Sequence, residues 1–219
     1  MTRRLAAEFV GTAALLIAVV GSGIMAEQLA AGNVAVALLA NAVATGAALV
    51  VLITVFAPLS GAHFNPAVSL FFALRGELPW QDAGRYALVQ TIAAVIGVWL
   101  AHLMFEMPVL QVSTHLRDGP AQWLAEFIAT FGLLLTIAGG LRAAPASIPM
   151  LVGLYITGAY WFTASTSFAN PAVTIARSLT DSFAGIAPSS APGFIAAQVL
   201  AVALAAPALK WLFAIPATA

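Results

Sequence analysis

The sequence of 219 residues contains no cysteine and few charged residues. The absence of cysteine excludes disulfide bonds, iron–sulfur clusters and thiolate zinc sites. Only 7% of the residues are charged and 62% are hydrophobic, whereas a soluble domain is about a quarter charged and under half apolar. This composition excludes a water-soluble enzyme and a disordered chain. Eight basic residues balance eight acidic ones, so no excess positive charge is available to bind nucleic acid.

The few charged residues divide the sequence into long uncharged stretches. A helix that crosses a lipid bilayer needs about 20 mostly apolar residues, and the mean hydropathy of the chain is +1.01. The uncharged stretches are 9–26, 28–74, 86–105, 127–141, 143–176 and 182–209. We therefore expect an all-α membrane protein in which six transmembrane helices cover 5–25, 34–56, 84–105, 121–141, 147–164 and 192–213.

Two of these stretches, 28–74 and 143–176, are longer than one span requires, and both contain the same tripeptide. The two copies are Asn65-Pro66-Ala67 and Asn170-Pro171-Ala172. Asparagine is a favoured helix N-cap and proline is favoured at the first helical position. Each tripeptide therefore predicts the start of a helix, over 67–74 and 172–179. Such helices are too short to cross a bilayer, which makes them re-entrant half-helices that enter from opposite faces.

The two halves of the chain repeat one pattern. The matching pairs are Asn65 with Asn170, Glu8 with Glu126, and Gln90 with Gln198. Each half contains three predicted spans and one half-helix. Because three is an odd number, the second copy must enter the membrane in the opposite orientation, which is an inverted repeat. We expect one transmembrane channel domain over 1–219, made of the repeats 1–115 and 116–219.

The basic residues predict the orientation of the chain. With the N-terminus inside, two arginines lie outside, Arg117 and Arg177, and six basic residues lie inside. Those six are Arg3, Arg4, Arg75, Arg85, Arg142 and Lys210. This asymmetry satisfies the positive-inside rule. We therefore expect a multi-pass protein of the cell (inner) membrane with both termini in the cytoplasm.

The half-helices define the chemistry that we expect at the centre of the membrane. Each points its N-terminus, which carries about half a positive elementary charge, towards the midplane. The side-chain amides of Asn65 and Asn170 offer hydrogen-bond donors there. Irregular backbone at this depth requires burial in protein or contact with water. This arrangement conducts small neutral polar solutes and repels cations, so the sequence predicts a passive channel.

Other functional classes fit the sequence less well. A secondary transporter coupled to an ion gradient also uses inverted repeats and broken helices, but it needs an ion-coordinating group near the centre, and the only candidates are Glu8 and Glu126. An enzyme needs a nucleophile with a base, or a metal group, and neither is present. The three histidines, His63, His102 and His115, have no matching carboxylate spacing and do not form a metal site.

The segment Ser60-Gly61-Ala62-His63-Phe64-Asn65-Pro66-Ala67-Val68, together with Asn170-Pro171-Ala172, resembles the aquaporin and aquaglyceroporin (major intrinsic protein) family. The resemblance covers the whole chain. It implies six spans and two half-helices, cytoplasmic termini, one pore in each subunit and a homotetramer that needs no cofactor. Its partners would be small neutral solutes and the lipid bilayer.

The family's selectivity filter maps by counting onto four positions, and one of them departs from the family pattern. These positions are Thr45, Gly158, Ser167 and Val173, with Ala47 as the alternative to Thr45. Almost all members have arginine where this chain has Val173. An arginine-less ring of small residues is wide and uncharged, and it is similar to that of the arsenic-associated bacterial branch. The expected solutes are glycerol-sized polyols, metalloid hydroxides such as arsenite, and some water.

Four other side chains are candidates for roles in the pathway. Glu8 and Glu126 would hold the entering loops by hydrogen bonds, with a proton relay as the alternative. His63 would donate to the solute, brace its loop or act as a pH gate. Arg177 lies one helical turn beyond Val173, and would either face the pore entrance or extend to the lipid headgroups.

Overall fold

The computed structural model describes residues 1–214, and this part of the chain contains eight α-helices and no strand. In chain order they are α1 (Thr2–Leu29), α2 (Val34–Ser60), α3 (Pro66–Leu74), α4 (Trp80–Met104), α5 (Pro120–Ala143), α6 (Ile148–Phe162), α7 (Pro171–Arg177) and α8 (Ala191–Leu212). A short 3-10 turn, Pro145–Ser147, precedes α6. The predicted all-α fold is confirmed.

Five of the helices in residues 1–214 are long and apolar enough to cross a membrane, namely α1, α2, α4, α5 and α8. They coincide with five of the six predicted spans. The remaining span, predicted at 147–164, corresponds to α6, which has 15 residues. Since an α-helix rises about 1.5 Å per residue, α6 covers about 22 Å. It ends at Phe162 because the chain becomes extended at Thr163 and turns inwards.

The two short helices begin where the Asn-Pro pairs predict. The side-chain oxygen of Asn65 accepts a hydrogen bond from Ala67 N at 2.8 Å, and that of Asn170 accepts one from Ala172 N at 3.0 Å. These bonds satisfy donors that a helix start otherwise leaves free. The second of these helices, α7, ends two residues earlier than predicted, at Arg177. The carbonyl of Arg177 accepts a hydrogen bond from Ile186 N, and the chain continues there as a loop.

The long helices pack in two groups that meet through α2 and α6. In the first group α1 packs against α2 and α4, and in the second α5 packs against α6 and α8. Both half-helices contact α4 and α8. Glycines permit the close crossing of α2 and α6: a Cβ added at Gly153 would lie 2.6 Å from the carbonyl oxygen of Gly46. Small residues at such crossings are typical of membrane helices.

The ends of the helices define two faces. The terminal face contains the start of α1 and the end of α8, where Arg4 lies 3.7 Å from Asp82 and Arg142 donates to the carbonyl of Phe213. The opposite face contains the end of α1 and the loops between 105 and 120 and between 178 and 190. There Glu27 accepts a hydrogen bond from Phe183 N at 3.2 Å. The half-helices lie between these faces.

Candidate functional site

The two half-helices meet tip to tip and are tied together by their asparagines. Asn65 Nδ2 donates to the carbonyl oxygen of Ala169 at 2.7 Å, and Asn170 Nδ2 donates to that of Phe64 at 2.8 Å. Each amide thus binds the entering loop of the other half. An amide nitrogen carries two N–H donors, so one donor of each asparagine remains for a solute.

An elongated cavity of about 130 Å³ runs past this junction. Both asparagines line it, with His63 towards the terminal face and Arg177 towards the opposite face. Most of the remaining wall is apolar, with side chains that include Leu15, Leu49, Ile53, Leu133, Ile137 and Val152. A larger cavity of about 710 Å³ opens on the terminal face and shares His63 and Phe72 with the first. The pathway is therefore a mainly apolar passage with polar groups at the half-helix junction.

The loops that lead into the half-helices adopt a matching, strained backbone. Positive φ angles occur at Ala62 (49°) and Phe64 (48°) in one loop, and at Ser167 (52°) and Ala169 (48°) in the other. Such conformations cost a non-glycine residue of the order of 1 kcal/mol or more. Strain of this kind is kept where surrounding contacts fix it, which is common at functional sites. Both loops therefore need strong anchors.

Glu8 anchors the first loop. Its carboxylate is fully buried and accepts hydrogen bonds from Ser60 Oγ (2.6 Å), His63 N (3.0 Å) and Phe64 N (2.7 Å). Gln90 Nε2 donates to the same carboxylate at 2.8 Å. Hydrogen bonds to an ionised group are among the strongest in proteins. The geometry supports the scaffold interpretation of Glu8.

Glu126 makes the equivalent set of contacts in the second half. It accepts hydrogen bonds from Phe168 N (2.8 Å), Ala169 N (2.9 Å) and Gln198 Nε2 (2.6 Å). Because Glu8 and Glu126 are both occupied in this way, neither offers an open carboxylate for a coupling ion. Within residues 1–214 no group of three or more His, Asp or Glu side chains could hold a metal ion.

The contacts of His63 fit one of the roles that the sequence leaves open, the bracing of its loop. Its ring stacks on Phe72 with centroids 4.9 Å apart, and its Nδ1 lies 3.1 Å from Ser69 Oγ, which braces the loop. The same side chain lines both cavities. His63 therefore supports the loop and also contacts the pathway.

The family model for "Major intrinsic protein" matches residues 1–165. The chain belongs to the major intrinsic protein family. It is 57% identical over 212 residues to aquaglyceroporin AqpS of Rhizobium meliloti, an alignment that covers 97% of this chain and 91% of that protein. It is also 30% identical over 179 residues to a glycerol uptake facilitator protein of Streptococcus pneumoniae, covering 72% of this chain and 74% of that one.

The fold agrees with this assignment. An X-ray structure of the aquaglyceroporin from Plasmodium falciparum superposes with a TM-score of 0.68 at 22% identity, covering 97% of this chain and 95% of that one. As a major intrinsic protein, the chain is a multi-pass membrane channel for small solutes and not an enzyme.

Three of the four positions assigned by counting to the family's filter lie on the cavity, and one does not. Thr45, Ser167 and Val173 line it, each at most 5% exposed. Ala47, the alternative to Thr45, is exposed. Gly158 is not among the lining residues, whereas Tyr160 is. Two residues rotate a helix by about 200°, so Gly158 and Tyr160 point in nearly opposite directions.

Tyr160 supplies an aromatic group that counting along the sequence missed. Its hydroxyl lies 3.4 Å from Thr45 Oγ1, and its side chain is 3% exposed. Counting back from Asn170 along the sequence gives Gly158, whereas Tyr160 lines the cavity. Only the direction of α6 relative to α2 identifies the residue.

Arg177 faces the interior and does not extend to the lipid headgroups. It is 2% exposed, lines the cavity, and its guanidinium carbon lies 3.4 Å from the centre of the Phe168 ring. Its Nε donates to the carbonyl oxygen of Ala184. A charged group is therefore present one helical turn from Val173, at the opposite-face end of the cavity.

Proposed function

We propose that this channel conducts small uncharged polar solutes through a wide filter that lacks the usual arginine. The solutes are glycerol-sized polyols, metalloid hydroxides such as arsenous acid, and some water. The observation that carries the proposal is the wall of the cavity, which Val173 lines together with Thr45, Ser167 and Tyr160. Arginine has five donors and a long planar head group, so valine at this position leaves a wider opening.

The apolar and polar sides of the pathway support this choice of solutes. A polyol can place its hydroxyl groups against the donors of Asn65 and Asn170 and its carbon atoms against the apolar wall. The two positive helix N-termini at the junction disfavour cations at the same point. The names of two similar proteins, an aquaglyceroporin and a glycerol uptake facilitator, agree with a polyol-sized solute.

The assembly and orientation form part of the same proposal. The terminal face is cytoplasmic, the protein resides in the cell (inner) membrane, and four copies assemble as a homotetramer with one pore each. The chain forms one channel domain of two inverted repeats, 1–115 and 116–219. The matching contacts of Glu8 with Gln90 and of Glu126 with Gln198 support this division.

Stopped-flow light scattering on proteoliposomes tests the proposal. Liposomes that contain the purified protein are mixed with solutions that impose an osmotic gradient or a gradient of glycerol, urea or arsenous acid. The rates are compared with those of empty liposomes. We expect glycerol and arsenous acid to pass well above the empty-liposome rate. Permeability to water alone would contradict the wide filter, and uptake that requires an ion gradient would favour a secondary transporter.

A further inference from the structure

Two arginines lie beside one aromatic ring near the opposite-face end of the cavity, and one of them, Arg177, lines the cavity itself. The guanidinium carbon of Arg177 lies 3.4 Å from the centre of the Phe168 ring, and that of Arg117 lies 5.4 Å from it. Arg117 Nε donates to the carbonyl oxygen of Gly185 at 2.9 Å. Arginine stays charged under all ordinary conditions, so two positive charges converge on this ring.

Neither guanidinium has an anionic partner in residues 1–214. The ion pairs of this region involve Arg4, Arg75, Arg85 and His115, and no carboxylate oxygen lies within 4.0 Å of Arg117 or Arg177. Glu126, on the other side of the Phe168 loop, already accepts three hydrogen bonds. A buried charge without an oppositely charged partner is energetically costly. A bound anion would therefore stabilise the buried guanidinium of Arg177.

Two acids on the same face, Asp181 and Glu27, make contacts elsewhere. Asp181 accepts hydrogen bonds from Thr114 N and Thr114 Oγ1 and lies 3.8 Å from His115. These bonds hold the pKa of the exposed Asp181 carboxyl below its usual value. Glu27 accepts from Phe183 N. Neither of these two carboxylates is paired with Arg117 or Arg177.

A third group in the same wall has no partner. Ser167 Oγ is buried and makes no hydrogen bond in the described part of the chain, although the residue is 97% buried and lines the cavity. Its backbone is held at a φ of 52°. Arg177 donates through Nε to the carbonyl oxygen of Ala184, so its terminal nitrogens also remain as donors for a ligand.

We propose that Arg177, Arg117 and Ser167 form a binding site for a small oxyanion at the opposite-face entrance of the pore, and that the bound anion blocks neutral solutes. Only the block of solute flux rests on the proposed function; the binding of the anion does not. Guanidinium groups bind oxyanions through paired, charge-assisted hydrogen bonds. A free ion fits this site better than a lipid headgroup, because Arg177 is 2% exposed and faces the interior of the cavity.

Equilibrium binding of inorganic phosphate to the detergent-solubilised protein is the first test. We expect saturable binding by isothermal titration calorimetry, weakened at least about tenfold (about 1.4 kcal/mol) by Arg177→Gln. Arg177→Lys keeps the charge without the fork geometry and is expected to bind with intermediate affinity. Ser167→Ala is expected to weaken binding about threefold. Arg75→Gln is the matched control, because Arg75 lies on the terminal face and is paired with Glu77.

Glycerol flux is the second test. In wild-type proteoliposomes, phosphate is expected to slow glycerol flux at concentrations near its dissociation constant, and this effect is expected to disappear in Arg177→Gln. Absence of phosphate binding to the wild type, or equal binding by Arg177→Gln, would overturn the anion site. If glycerol flux is absent even without phosphate, the proposed function fails, and the calorimetric test of the anion site still stands.

Discussion

Replacement of Glu126 by glutamine tests whether this carboxylate holds the loop that leads into α7. Its two oxygens accept hydrogen bonds from Phe168 N at 2.8 Å, Ala169 N at 2.9 Å and Gln198 Nε2 at 2.6 Å. Glutamine has nearly the same size, but it replaces one acceptor oxygen with an NH₂ group. That group would face a backbone N–H, so one buried donor would lose its acceptor.

The magnitude follows from the three bonds. A buried donor without an acceptor costs about 1–3 kcal/mol. The two remaining bonds change from charge-assisted to neutral, which weakens each by about 1 kcal/mol. We therefore expect Glu126→Gln to lower the free energy of unfolding by about 3–5 kcal/mol. Because the loop also positions Ser167 and Asn170, glycerol flux should fall as well.

The assay is reversible unfolding of the detergent-solubilised protein, followed by glycerol flux in proteoliposomes. Glu27→Gln is the control: Glu27 is exposed and accepts a single bond from Phe183 N, which glutamine can also accept. A change within about 0.5 kcal/mol is expected there. Equal stability of Glu126→Gln and the wild type would refute the scaffold role. Equal stability combined with a loss of proton movement would instead identify a proton relay.

Three further substitutions test the pathway and the packing. Val173→Arg should lower glycerol flux more than water flux, as measured by stopped-flow light scattering, and equal loss of both fluxes would count against a size filter. The uncharged Val173→Met separates the effect of size from that of charge. Asn65→Asp places a carboxylate oxygen against the carbonyl oxygen of Ala169, so the yield of folded protein in size-exclusion chromatography should drop. An unchanged yield with conduction of neutral solutes only would be inconsistent with the hydrogen bond from Asn65 to Ala169. Gly97→Ala should destabilise by about 1–3 kcal/mol, because its Cβ would lie 2.8 Å from Leu16 Cβ. Gly84→Ala, with nothing within 4 Å, is the control for that change, and similar stability of the two variants would contradict the close crossing of α1 and α4.

The parts of the fold that local chemistry determines could be predicted from the sequence. The Asn-Pro pairs fix the starts of both half-helices because an asparagine cap and a first-turn proline act within a few residues. The long helices follow from length and hydropathy alone. The pairing of Glu8 with Glu126 could also be predicted, since each lies at the same place in its repeat.

The details of the filter depend on contacts between distant parts of the chain and could not be read from spacing. On α6 the cavity is lined by Tyr160 and not by Gly158, and the direction in which a helix faces the cavity depends on its packing against distant helices. The inward direction of Arg177 depends on the ring of Phe168 and the carbonyl of Ala184. A possible signal was the isolated charge so close to the second Asn-Pro pair, since a charge at that depth usually has a function.

The central claim is that two half-helices, joined tip to tip by Asn65 and Asn170, flank a passive passage for neutral solutes. The most direct test is glycerol flux across proteoliposomes, measured in both directions with membrane current recorded at the same time. The account predicts equal permeability in both directions in phosphate-free buffer, no dependence on any ion gradient and no current carried with the solute. Flux that stops when ion gradients are removed, or a current that accompanies it, would contradict the account.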